Sequence, residues 1–188
     1  MNSNSNKNFS AETFHTSPYN KSNFNLISSF NEGSSLIVPI PSVSNQSFAP
    51  IPIVSADIDI TCFCNPIVKV DFTSTVNYEA ILVRSTGTIV PRIYVPFTAV
   101  FQLTRTCNDG SKILLKSWSY SYSSLPFTSN ITQNFNFMYC DKNPKPGSYV
   151  YGVELIRINY GIFNTAISDD IETFSIENST LSLTAIDR

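Results

Sequence analysis

The feature that restricts this chain most is a period of two. Ile93, Val95, Phe97, Ala99, Phe101 and Leu103 fall on one face of an extended chain, with Tyr94, Thr98, Gln102 and Thr104 on the other. Side chains alternate across a strand, so the pattern describes a strand with one face in a core and one in solvent. Val68, Val70 and Phe72 alternate in the same way with Lys69 and Asp71, and Phe135, Phe137 and Tyr139 with Asn134 and Asn136. Trp118, Tyr120 and Tyr122 stand between serines, and a long apolar strand is expected from Tyr149 to about Tyr160. The chain closes with Phe174–Ile176 and Leu181–Ile186, between which Asn178-Ser179 reads as a turn. Cys107-Asn108-Asp109-Gly110-Ser111 reads as a hairpin turn, because Asp-Gly supplies the positive φ values that tight turns need. No long window carries a helical repeat. About eight or more strands joined by short turns predict an all-β fold, an antiparallel β-sandwich of jelly-roll type with an extended N-terminal arm.

Ahead of these strands the rhythm is missing. Residues 1 to about 33 are rich in Asn and Ser, with scattered Phe9, Phe14, Tyr19, Phe24 and Phe30. Such a segment buries too little apolar surface to offset chain entropy, and disorder in isolation is expected. Leu36-Ile37-Val38-Pro39-Ile40-Pro41 and Pro50–Ile60 follow. Successive N–H groups of a strand point to opposite edges. Pro39 and Pro41 therefore strip donors from one edge only, as do Pro50 and Pro52 beside Ile51 and Ile53. Each segment pairs along a single edge, either as an edge strand of its own domain or as a strand donated to another copy. Both readings stand for Pro50–Ile60, while donation is expected for Leu36–Pro41. The chain then divides into an arm, residues 1–55, and a β-sandwich domain, residues 56–188. Leu36, Ile37, Val38, Ile40, Ile51 and Ile53 would be the engaging residues of the arm, which spans on the order of 180 Å when extended.

Composition bounds the partners. The 188 residues include 14 Phe and 9 Tyr, ample for a core, while charged residues make up 14%. Soluble domains carry about 25%, so the polar faces here are built from Ser, Thr and Asn, as is common in extracellular β-proteins and fibres. A net charge of −2 without a basic run argues against nucleic acid as a partner. No apolar stretch approaches the roughly 20 residues of a transmembrane helix, so no membrane partner is expected. Met1–Ser10 shows no charged start leading into an apolar run, and synthesis in a cytosol without a secretory signal is expected.

Catalysis finds little support. The one histidine, His15, lies in the leader, which leaves the domain without an imidazole for nucleophilic or metal chemistry. Asp57/Asp59 and Asp169-Asp170 with Glu172 lack a ligand-loop pattern, and no glycine-rich phosphate loop occurs. No enzyme, metal or cofactor is expected. The cysteines carry the sharpest signal. Cys62, Cys64, Cys107 and Cys140 allow three intramolecular pairings. In extended chain Cys62 and Cys64 would share a face with Cα atoms about 6.5–7 Å apart, at or beyond disulfide reach. They are poor partners for each other. Zinc would call for paired Cys-x-x-Cys knuckles. Buried thiols and disulfides remain, at least one of the latter between copies. Trp118, Tyr120 and Tyr122 form an aromatic ladder suited either to stacking on a sugar or to packing between sheets.

Asp59-Ile60-Thr61-Cys62-Phe63-Cys64-Asn65-Pro66-Ile67-Val68-Lys69-Val70-Asp71-Phe72-Thr73-Ser74 is an unusual string. Together with Phe101–Gly110, Ser117-Trp118, Phe135–Cys140 and Tyr149–Glu154, it resembles an uncharacterised cysteine-rich domain family of clostridial spore-formers. The resemblance covers about Ala56 to Ala185. This chain departs from it at Ile67 and at Lys142–Gly147, where the family is richer in cysteine. In architecture the chain is also similar to the endospore-appendage pilin subunits of bacilli, jelly-roll domains with an N-terminal connector and intersubunit disulfides. The resemblance implies a structural subunit of a spore-surface fibre or exosporium layer, assembling with itself as a homo-oligomer or helical polymer and with other spore-surface proteins. Release by lysis of the mother cell would then explain oxidised thiols without a signal peptide. The alternative is a carbohydrate- or surface-binding module, an adhesin that uses the aromatic ladder.

Overall fold

The structure is a computed structural model that describes residues 26–38, 49–81, 92–94, 96–123, 129–142, 144–159, 162–164 and 171–187. These residues contain eleven strands and no helix: β1 Leu26–Glu32, β2 Leu36–Val38, β3 Ile51–Asp59, β4 Pro66–Ile81, β5 Arg92–Tyr94, β6 Pro96–Cys107, β7 Lys112–Ser123, β8 Ser129–Lys142, β9 Ser148–Asn159, β10 Ile162–Asn164 and β11 Ile171–Asp187. One antiparallel sheet runs β1-β11-β4-β8, with β2 sharing the β11 edge, and the other runs β3-β9-β6-β7. The short β5/β10 pair lies beyond the ends of β6 and β9 (Tyr94 opposite Ile162, Thr98 opposite Asn159). Among the long strands only β6 and β7 are sequence neighbours within one sheet. Every other connection between them changes sheet.

The expected alternation holds in β4 and β6. Along β4, Val68, Val70, Phe72, Val76, Tyr78 and Ala80 are buried. Phe97, Ala99, Phe101 and Leu103 answer from β6, and Phe72 and Phe101 approach to 6.5 Å between ring centroids across the two sheets. Removing each Val, Leu or Phe side chain of this set from water stabilises the fold by about 1.5–3 kcal/mol. The side chains of Ile93, Tyr94 and Val95 lie outside the described residues.

The closing segments form one strand and not two. β11 runs unbroken through Asn178-Ser179, which is a bulge where a turn was expected. Glu177 pairs with Thr75 and Thr180 with Thr73, so two residues oppose Ser74 alone. The bulge is needed because the buried positions change parity, from Phe174 and Ile176 to Leu181, Leu183 and Ala185. Asn178 accepts the left-handed conformation the bulge requires, at φ 50°. The Ser74 hydroxyl satisfies its surroundings, bonding the Ser179 hydroxyl at 3.0 Å and the Glu177 carbonyl at 3.1 Å.

The N-terminal strands also correct an expectation. β1 lies in the stretch expected to be disordered, yet it pairs along β11 from Leu26 opposite Ile186 to Glu32 opposite Thr180. β2 pairs with the same strand further along, Val38 opposite Phe174. β3 pairs with β9 and crosses the expected boundary at 55/56. Leu36, Ile37, Val38, Ile51 and Ile53 therefore belong to the chain's own sheets. Ile40 lies outside the described residues. The reason is length: at 17 residues, β11 offers enough edge for two short strands, and Val38 and Ile53 are buried in the core it lines. β3 is the outer strand of its sheet, which is the edge-strand alternative for Pro50–Ile60.

Candidate functional site

The registers bring all four cysteines to one end of the sandwich. Asp59 lies opposite Ser148, Cys107 opposite Tyr149, Ile67 opposite Lys142 and Asp187 opposite Pro66. The β3–β4 turn, the β6–β7 hairpin, the β8–β9 connection, the start of β1 and the end of β11 thus meet at a single pole. The hairpin is as expected: Gly110 has φ 79°, and Asp109 Oδ1 accepts the Ser111 N–H at 2.8 Å.

Cys62 and Cys64 are not in extended chain as the sequence suggested. They stand in a tight turn closed by Phe63 N–H donating to the Ile60 carbonyl at 3.1 Å. Three contacts pin it. Asp59 Oδ1 accepts the Thr61 N–H at 2.9 Å and the Thr61 hydroxyl at 2.5 Å, and these bonds hold the Asp59 carboxyl below its usual range. Phe63, only 3% exposed, drives into the core between the two cysteines. The Asp187 carboxylate accepts the N–H groups of Cys64 at 3.0 Å and Asn65 at 2.8 Å. A buried ring and a carboxylate from the far end of the chain thus leave both thiols turned to solvent.

Cys140 is exposed on β8 opposite Lys69, while Cys107 is half-buried against the core. All four are free thiols. Among the described residues no three His, Cys, Asp or Glu side chains gather where they could hold a metal ion. Beneath the pole, Arg105 of β6 forms an ion pair with Asp141 of β8, joining the two sheets. Tyr151 donates its hydroxyl to Asp141 at 2.8 Å, and the Arg105 guanidinium lies 5.1 Å from the Tyr149 ring centroid. Burial, reinforced by the Asp141 charge, pushes the Tyr151 hydroxyl well above its ordinary pKa. No sequence pattern pointed to this clamp or to Asp187, because each joins residues far apart in the chain. The Asp59-x-Thr61 spacing was a readable turn signal.

The aromatic ladder of β7 faces the sandwich interior. Trp118 stacks on Phe137 at 3.8 Å with planes 10° apart, and Tyr139 meets it edge-on. Tyr120 is 7% exposed and donates its hydroxyl to Gln133 Oε1 at 3.0 Å. Tyr122 tilts against Tyr78 at 6.1 Å. With Phe135, Phe137 and Tyr139 of β8, these rings close the flank where the two sheet edges meet. The sugar-stacking face expected as one reading of Trp118, Tyr120 and Tyr122 is therefore replaced by intersheet packing. Asp57 and Asp59 are exposed edge residues, and His15, Asp169 and Asp170 lie outside the described residues.

Two antiparallel sheets over one shared apolar core make this an all-β sandwich domain. More particularly, the chain belongs to the family described as a domain of unknown function, DUF4489, whose model matches residues 27–186. The match takes in β1 through β11, starting well before the Ala56 at which the sequence resemblance began. None of the curated proteins compared matches the chain.

Proposed function

We propose that this chain is a jelly-roll structural subunit that assembles with itself into a fibre or layer on a spore surface. The orders β1-β11-β4-β8 and β3-β9-β6-β7, with sheet changes between most strands, support the jelly-roll reading. The spore setting rests on the cysteine-rich resemblance described above. The observation that carries self-assembly is a pair of open sheet edges. β7 and β8 are the outer strands on the same flank, 12 and 14 residues long, with no proline in their described residues. The β8–β4 ladder runs without a register shift, so β8 is a long regular edge, and among the described residues no strand pairs with its outer side. Such an edge is a template for another strand.

The arm in this reading is shorter than expected from sequence. It is residues 1–25, which precede Leu26 at the cysteine-bearing pole. Negative-stain microscopy and sedimentation of the full chain, with and without residues 1–25, test the proposal. Elongated or sheet-like particles that depend on the leader are expected. A monodisperse monomer at every concentration would overturn it.

A further inference from the structure

The cysteine-bearing pole has an apolar collar. Leu26, 52% exposed, and Ile186 are cross-strand neighbours level with Ile67 on one sheet. On the other sheet Val150, Ile113 and Leu114 are exposed opposite Thr106, Arg105 and Thr104, in the last residues of β6 before the Cys107 hairpin. Five of the eight exposed large hydrophobics among the described residues therefore ring the pole that carries Cys62 and Cys64. Clustered exposed apolar side chains mark an interaction surface.

The thiols identify the occupant. The chain has four cysteines, none of them in residues 1–25, so the leader offers no thiol. All four sit at one pole. We propose that this pole docks against the same pole of a second copy, and that a disulfide between the two Cys62–Cys64 turns makes the contact covalent. A two-fold contact sets like against like, so the turn of each copy meets a turn presenting the same thiols. Asp59, Phe63 and Asp187 hold each turn in place, which lowers the ordering cost of the encounter. One thiol from each copy contributes to the new S–S bond, and the pair gives up two protons and two electrons. A low-molecular-weight disulfide accepts them, its own S–S bond breaking to give two thiols.

The inference rests on the self-assembly reading and sharpens it in one respect. Thiols at a single pole join copies in pairs, so covalent linkage stops at the dimer, and further growth is non-covalent through the sheet edges. The test oxidises the full chain with oxidised glutathione, then runs gels without reductant alongside sedimentation. A band at twice the 20.9 kDa of one chain is expected in the unsubstituted protein and in Cys140→Ser. It should be lost in the Cys62→Ser/Cys64→Ser double variant, whose sedimentation in reductant should match the parent. A covalent ladder beyond the dimer in Cys140→Ser, a dimer surviving in the double variant, or a bond within one chain overturns pole-to-pole joining. Polymers without any covalent dimer overturn it too, yet leave self-assembly standing. A covalent dimer that never grows supports the pole contact and overturns the fibre.

Discussion

The two flanks of the sandwich are closed by different means. On the β1–β3 flank the backbone itself makes the fit. Gly33 donates its N–H to the Ser179 carbonyl at 2.8 Å, and Asn31 Nδ2 donates to the Ser55 carbonyl at 2.6 Å, tying β1 across to β3. A Cβ on Gly33 would meet the Ile53 carbonyl oxygen at 2.5 Å. Pro52 and a bulge at Ile53 further disrupt the outer edge of β3. On the β7–β8 flank, rings fill the space between the sheets; β7 carries a bulge at Leu115, between Lys116 opposite Leu103 and Leu114 opposite Thr104, while β8 carries neither proline nor bulge. One flank is finished within a single chain. Among the described residues the other is packed inside but open along the β8 backbone, and on this asymmetry the proposed lateral growth rests.

Several substitutions would break or sharpen this contrast. Phe137→Ala removes the ring stacked on both Trp118 and Phe72, at 3.8 and 4.9 Å. It should cost about 3–5 kcal/mol in denaturant unfolding and loosen the open flank. Gly33→Ala should cost about 1–3 kcal/mol, because backbone cannot yield to the added methyl, while assembly of the folded fraction stays unchanged. Asn178→Val places a β-branched residue at φ 50° and should cost about 1–2 kcal/mol, whereas Asn178→Gly should be close to neutral. Thermal unfolding of the two variants side by side separates backbone strain from loss of the side chain. Asn31→Ala should cost least, about 0.5 kcal/mol, since its hydrogen bond is exposed to solvent.

Acid acts on two carboxylates of the pole. Hydrogen bonds to Thr61 and Ser111 hold Asp59 and Asp109 below the ordinary carboxylate value of about 3.9. Their contribution is therefore complete above that value and is lost as pH falls through the depressed folded values. An NMR titration below about pH 4 should shift the Thr61 and Ser111 amides before those of the β4 core, and simultaneous shifts would contradict it.

How far the chain could be read in advance depended on whether a signal was local. The β4 and β6 alternations and the Asp109-Gly110 hairpin are local, and the structure places them as expected. β1 was missed because Leu26-Ile-Ser-Ser-Phe30 buries little of its own. Its order comes from β11, about 150 residues away in sequence, through the kind of long-range pairing that composition does not encode. The Asn178 bulge was mistaken for a turn because the left-handed preference of Asn serves both. The change of parity between Ile176 and Leu181 was the clue that should have separated them. The β7 ladder was ambiguous because a period of two shows that rings share a face without showing which face. The pole could not be seen at all before four registers were known, since its thiols lie on three separate segments.

The most direct test sets the two edges against each other. Lysines are placed on the exposed residues of β8 in one variant, Asn134→Lys/Asn136→Lys, and on β3 in another, Ser55→Lys/Asp57→Lys, and assembly is followed by sedimentation with unfolding as the control. Loss of polymer from the β8 variant alone, at unchanged stability, is the predicted result. Equal loss from both, or full assembly of the β8 variant, would contradict the account.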